Sequence, residues 1–201
     1  MELNRQFWRG RRVFVTGHTG FKGAWLILVL RQLGAEVTGF ALPPPSEPSL
    51  FGLLGLDKEC THRIGDIRDL AAVQRAVSEA QPEVVIHMAA QSLVRTSYME
   101  PVETYAVNVM GTVHLLEACR SVGTVRSIVA VTTDKCYENN EWVWGYREND
   151  RLGGADPYSN SKAACELAID SYRRSFFGSA DSAALGSARA GNVIGGGDFA
   201  A

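Results

Sequence analysis

Tyr158-Ser-Asn-Ser-Lys162 sets a phenol and an ammonium four residues apart, so a helix through this segment would carry both on one face. A cation within a few ångströms favours phenolate over phenol. The spacing therefore predicts a Tyr158 pKa below the ordinary phenol value of about 10 and a base usable near neutral pH. The same pair on an unremarkable helix would be structural. Upstream, Thr133-Asp134-Lys135 places a hydroxyl, a carboxyl and an amine side by side. Such a set can protonate a leaving group and remove a proton, or it can be a solvated ion pair at a strand end. The first role needs a protonated carboxyl and a neutral amine. A site that excludes water favours that neutral pair, which has the same total charge without two desolvated ions. Gly17, Gly20 and Gly23 follow the apolar run after Arg12 and precede Ala24-Trp-Leu-Ile-Leu-Val-Leu30. A strand, a tight turn and a helix in that order let backbone approach a pyrophosphate and turn free N–H groups toward it. The alternative is an ordinary strand–helix turn.

These groups need a frame that brings them together. Glu36-Val-Thr-Gly-Phe-Ala41 predicts a second strand, closed by a proline-rich loop from Leu42 to Ser49, and Thr61-His-Arg-Ile-Gly65 a third. From a capping Asp69, Leu70, Val73, Ala76 and Val77 recur at helical spacing until Gln81-Pro82. Glu83 to Ala90 has the unbroken apolar character of a buried parallel strand, Pro101 to Val122 predicts one long helix, and Val125 to Thr132 a fifth strand. The connection from Thr133 to Asp156 is long enough to suggest a functional role. Asp156-Pro157 caps a helix running to about Phe177, and Ala183 to Arg189 is a sixth strand. Strands alternating with helices predict an α/β fold, a doubly wound parallel sheet. Ligands of such sheets bind at the carboxyl ends of the strands, where Gly17, Asp66, Ala89, Thr133 and Asn192 fall.

The 201 residues are 46% hydrophobic and 21% charged, enough for one domain. Twenty basic against twenty-two acidic side chains give a net charge of -2, which argues against nucleic acid and toward a small-molecule partner. The N-terminal stretch lacks the pattern of a secretion signal, and Ala24 to Leu30 is far shorter than the roughly 20 residues of a membrane span. A soluble, cytoplasmic protein with no membrane partner is the expectation. Cys60, Cys119, Cys136 and Cys165 are spaced as reduced thiols, with Cys136 expected to pack beside the triplet. His18, His62, His87 and His114 show no metal-ligand spacing, so no metal is expected.

Five segments in this order resemble the extended, nucleotide-sugar branch of the short-chain dehydrogenase/reductase superfamily. Thr16-Gly-His-Thr-Gly-Phe-Lys-Gly23 is similar to its TGxxGxxG loop, Asp66-Ile67 to its adenine contact, Met88-Ala-Ala-Gln91 to the segment after strand four, and Tyr158-x-x-x-Lys162 to its catalytic pair. The fifth, Thr133-Asp134-Lys135, resembles the strand-five end of the sugar 4,6-dehydratases rather than of the 4-epimerases. Glu141 to Asn149 and Ser187 to Asp198 point the same way. The resemblance implies NAD as cofactor, held by Gly17, His18, Thr19, Gly20, Phe21, Lys22, Gly23, Asp66, Ile67, Ala89, Ala90, Gln91, Tyr158 and Lys162. It implies catalysis by Thr133, Asp134, Lys135, Tyr158 and Lys162, and a nucleotide sugar, CDP-glucose, near Asn108, Arg189 and Asn192.

It further implies a homo-oligomer. Residues 1–201 would be an NAD-binding Rossmann domain, with a smaller substrate domain beyond, so that much of the nucleotide's binding energy would come from outside this stretch. Trp142 and Trp144 would line a lid or a subunit contact. One departure stands out: Ala41-Leu-Pro-Pro-Pro45 lacks the acidic residue that usually holds the adenosine ribose, so the choice of NAD over NADP rests on the resemblance alone. Two alternatives remain at this level, an epimerase or reductase on the same fold and a catalytically silent NAD-binding fragment.

Overall fold

A computed structural model describes residues 4–199. The elements are α1 (Arg5–Trp8), β1 (Arg12–Thr16), α2 (Phe21–Gln32), β2 (Glu36–Ala41), α3 (Leu50–Leu53), β3 (Thr61–Ile64), α4 (Leu70–Ala80), β4 (Val84–His87), α5 (Val94–Met99), α6 (Pro101–Tyr105), α7 (Gly111–Arg120), β5 (Ser127–Thr133), α8 (Pro157–Ser175) and β6 (Ala184–Ala190). All six strands are parallel, in the order β3-β2-β1-β4-β5-β6. The chain thus winds outward from β1 in one direction and from β4 in the other. The reversal between β1 and β4 opens a crevice at their carboxyl ends.

Alternation along the strands divides the core between the two faces of the sheet. Val13, Val15, Val37 and Val84 pack with Ala24, Ile27 and Leu30 of α2 and with Phe51 of α3. On the other face Phe14, Val85 and Ile128 meet α4, α7 and α8 through Val73, Val77, Leu115, Leu116, Cys165 and Ile169. Asp69 caps α4 by accepting from Ala72 N at 3.0 Å, and Gln81 ends it at φ 43°. Asp156 caps α8 through Ser159 N at 2.9 Å, with Pro157 in the first turn.

The structure differs from the sequence expectation in three places. The long helix from Pro101 is interrupted by a π-turn at Ala106–Met110, which inserts Asn108 into the interior. Strand four ends at His87, short of Ala90, because the next two amides, Met88 N and Ala89 N, turn onto Thr16 Oγ1 at 3.1 Å each. Helices α1 and α5 are the third difference, since no helix was expected at either place. The connection after β5 is built from a 3₁₀ turn (Asp134–Cys136), a bridge between Tyr137 and Leu152, and stacked rings of Tyr137, Tyr146, Trp142 and Trp144. The four cysteines are unpaired. Among the described residues no helix is long and apolar enough to cross a membrane.

Candidate active site

The turn after β1 is closed by backbone. Gly17 sits at φ +74°, and a Cβ there would lie 2.7 Å from Ala89 N. A Cβ on Gly23 would lie 2.2 Å from Gly17 O, so the start of α2 can press against the turn only without a side chain. Gly20 is different: a Cβ would meet nothing nearer than Gly17 O at 3.5 Å, leaving open space in front of the helix N-terminus. Gly20 caps α2 with no side-chain bond, so the first amides keep free donors. Burial pushes the Lys22 ammonium down. Lys162, buried in α8, is pushed down by burial too, and the Lys22 charge adds to the effect. Open space, free amides and the Lys22 ammonium in the first turn of α2 fit the diphosphate of a dinucleotide.

The other residues expected around a cofactor are placed unevenly. Thr19 is buried and donates to Leu42 O at 2.9 Å, while Phe21 is half-buried. His18 is wholly buried, its ring under Gly39 and Nε2 2.6 Å from His62 Nδ1. Burial and the His62 charge push its pKa down to about 4. Its side chain is thus a packing element of the turn, a correction to its expected place on the cofactor side. Asp66 lies at the end of β3, but its carboxylate is engaged by Arg68, whose hydrogen bond holds it below the usual carboxylate range. Ile67 is buried against Gly111, and its carbonyl meets His114 Nδ1 at 3.1 Å. Ala89, Ala90 and Gln91 are partly exposed at the end of β4.

Across the crevice, the end of β5 and the first turns of α8 bring the second group together. Thr133 Oγ1 donates to Asp134 Oδ1 at 3.1 Å. Lys135 Nζ is 3.4 Å from Asp134 Oδ1 and donates to Asn192 Oδ1 at 3.0 Å. Tyr158 does not behave as its spacing from Lys162 predicted. Burial pushes its phenol up, the carboxylates of Asp134 and Asp156 push the same way, and a hydrogen bond with Thr133 pulls against them. The Lys162 charge is not among the main influences, and in the chain alone the phenol stays protonated at neutral pH. The second correction concerns the acid–base pair: Asp134 and Lys135 side chains are 55% and 42% exposed. The exclusion of water that a neutral pair needs is not supplied by the described residues.

Two expected substrate contacts are also corrected. Asn108 is buried in the π-turn; its Oδ1 accepts from Gln91 N at 2.9 Å, and its Nδ2 donates to Gln91 O at 3.0 Å and Ser161 Oγ at 2.9 Å. Its carboxamide is consumed within the fold. Arg189 donates to Glu166 Oε2 at 2.9 Å, Tyr137 Oη at 2.7 Å and Glu148 O at 2.8 Å, so it works as an internal tie. Asn192 alone of the three is exposed beside Lys135. Cys136 is buried, and burial pushes its thiol up to about 11, so it is not a nucleophile at neutral pH.

Sequence reasoning missed two networks. His87 is buried between Thr16 Oγ1, 2.6 Å from Nδ1, and Thr112 Oγ1, 3.0 Å from Nε2. Thr112 spends its proton on Asn108 O at 2.6 Å, so Nε2 must carry hydrogen and Nδ1 must accept from Thr16. The neutral ring joins the cofactor turn to the π-turn. Glu166 accepts from Thr132, from Ser187 at 2.8 Å and from Arg189. Burial pushes its carboxyl up, but these bonds outweigh burial and hold it low. A histidine inside an apolar strand was the one legible hint of the first network; nothing local marks the second.

Residues 14–183 match the family model described as GDP-mannose 4,6 dehydratase. The chain belongs to the GDP-mannose 4,6 dehydratase family. Within it, the chain is similar to the CDP-glucose 4,6-dehydratase of Salmonella typhimurium, 55% identical over 98% of this chain and 56% of the relative. It also resembles the UDP-glucose 4-epimerase of Mycolicibacterium smegmatis, 33% identical over 81% of this chain and 51% of that protein. Among solved structures, the UDP-glucose 4-epimerase of Thermus thermophilus, a complex with NAD, aligns with a TM-score of 0.73 and 33% identity, covering 83% of this chain and 52% of that one. The chain spans about half the length of the family members it matches.

Proposed function

We propose that this chain carries the cofactor turn and catalytic groups of an NAD-dependent nucleotide-sugar 4,6-dehydratase acting on CDP-glucose. The observation that carries the proposal is the Asp134–Lys135 pair, 3.4 Å apart at the end of β5 beside Thr133 and Tyr158. Elimination of water from a hexose needs an acid for the leaving hydroxyl and a base for the C5 proton, and that proton is acidic only once C4 is a carbonyl. Bound NAD⁺ would supply the oxidation by accepting hydride from C4 and would restore it at C6. Tyr158, whose phenol is protonated in the chain alone, would take the proton of the C4 hydroxyl once the positive charge of bound NAD⁺ favours its phenolate, with Thr133 hydrogen-bonded to it. Lys135 removes the C5 proton, and Asp134 protonates the departing C6 hydroxyl. A sugar seated on the exposed pair displaces water from it, which favours the neutral acid and amine. Lys135 returns a proton to C5 as the hydride reaches C6, and the proton taken by Tyr158 makes good, through solvent, the one Asp134 gave up, which leaves a 4-keto-6-deoxy sugar and water. Gly17 to Gly23 would hold the diphosphate of the cofactor, with Asp66 and Ile67 toward its adenine and Ala89 to Gln91 lining the crevice beside it.

The identity with the Salmonella CDP-glucose 4,6-dehydratase supports the cytidine nucleotide over its relatives. A homo-oligomer is part of the proposal, supported by an exposed apolar strip on α5, α6 and α8. Tyr98, Met99, Val102 and Leu167 are all at least 63% exposed, and Tyr105 Oη bonds Asn160 Oδ1 at 2.7 Å to bring α6 against α8. Unpaired cysteines fit a reducing, cytoplasmic location.

The chain incubated with NAD⁺ and CDP-glucose should form the 4-keto-6-deoxy product and wash solvent deuterium into C5. A 4-epimer as product would sink the dehydratase, and bound NAD⁺ without turnover would leave a cofactor-binding fragment. Lys135→Ala should abolish the exchange at C5; exchange at the parent rate would remove Lys135 from the role of base.

A further inference from the structure

Trp25 lies on α2, one turn past Phe21, and its indole N–H donates to Gly196 O at 3.0 Å. The two residues are 171 positions apart, and the bond closes a strap. The segment from Gly191 to Gly197 leaves β6 beside the reactive pair. A Cβ on Gly191 would lie 3.4 Å from Asp134 Oδ2, and Asn192 Oδ1 accepts from Lys135 Nζ at 3.0 Å. The segment ends against α2 and α3. At Gly195 a Cβ would stand 3.2 Å from Phe21 Cζ, and at Gly197, φ +84°, one would stand 2.7 Å from Leu50 Cδ1.

Between these anchors the strand order reads β6-β5-β4-β1, and α2 follows β1. The strap therefore passes the carboxyl ends of β5 and β4 to reach the cofactor turn. The six steps from Gly191 to Gly197 reach at most about 22 Å, and β6, which the strap leaves, lies three strand spacings, about 14 Å, from β1. Gly195-Gly196-Gly197 also bring no side chains into the space that the open face of Gly20 leaves in front of α2.

We infer that Trp25 is a positioning residue that latches the Gly191–Gly197 strap over a bound dinucleotide and slows its release. The inference rests on the cofactor assignment proposed above. Lifting the strap breaks the indole bond and carries Asn192 away from Lys135, so the latch also ties retention of the cofactor to the order of the reactive end.

The test follows NADH release by its fluorescence. Trp25→Phe keeps a ring on α2 and removes the donor. It should release NADH about 3- to 10-fold faster, the range that loss of one hydrogen bond gives, with NADH association at the parent rate. Gly197→Ala strains the far end of the same strap and should also speed release. The double variant should release no faster than the faster single one, because both open one element. Equal rates for parent and Trp25→Phe, or effects that multiply in the double variant, overturn the latch while leaving the cofactor assignment intact. A parent chain that binds no NADH overturns both.

Discussion

At the residue scale, two buried histidines set how the molecule responds to acid. Burial pushes His87 down to about 3, with the Lys162 charge adding to it, and burial with the His62 charge pushes His18 down to about 4. Both values lie below the ordinary 6.5, so the unfolded chain binds these protons first as pH falls. The stability the two rings contribute is complete above about pH 6.5. It is lost as pH drops toward their folded values, about 2 kcal/mol from each by pH 5. Urea unfolding at pH 7.5 and pH 5 should show a combined loss of about 4 kcal/mol that falls to about 2 kcal/mol in His87→Asn, and the full loss persisting in that variant would remove His87 as a source. The carboxylates held low, Asp66 and Glu166, act in a lower window, below their ordinary pKa, and leave this interval to the histidines. The shift of Tyr158 shows where residue-level inference stops. Its spacing from Lys162 is written in the chain, but burial decides the sign, with help from Asp134, which lies 24 residues away, and from Asp156 in the cap of the same helix.

At the scale of elements, the π-turn is the joint between the two halves of the site. Asn108 holds Gln91 at the end of β4 and Ser161 on α8, three positions past Tyr158. Asn108→Ala leaves the Gln91 amide and carbonyl without partners and should cost about 2 kcal/mol in urea unfolding; a loss under about 0.5 kcal/mol would show that water replaces the carboxamide. Most elements were legible because their ends carry local punctuation. The β2 strand was bounded by its proline-rich exit, α4 by Asp69 and Gln81-Pro82, and α8 by Asp156-Pro157, and each sits within a residue or two of its expected place. The π-turn was not legible, since a polar residue at mid-helix has the same local signature on the surface as in the interior. What distinguishes Asn108 is Ser161, which lies 53 residues away. The tie between Arg189 and Glu166 was hidden for the same reason: an arginine near the end of a strand pattern gives no sign that a helix residue 23 positions earlier is its partner.

At the scale of the molecule, the sheet order brings the glycine turn, the end of β4 and the β5 triplet to one crevice, so the doubly wound expectation was enough to group them. The exposed strip on α5, α6 and α8 gives a prediction at this scale. Light scattering should report a mass that is a multiple of the chain mass, and Val102→Glu, which puts a charge on a side chain 83% exposed in the single chain, should lower it to one chain. An unchanged oligomer would move the contact to another face.

The steric closure of the cofactor turn separates what can change in this protein from what cannot. Gly17 and Gly23 have no room for even a methyl group, whereas Asp134 and Lys135 stand in solvent and touch little that would need repacking. Exchange of these two side chains leaves the frame intact. Mutational freedom is therefore greatest where the chemistry is chosen and least where the dinucleotide is gripped, an arrangement that lets one scaffold acquire a new reaction without having to relearn its redox partner.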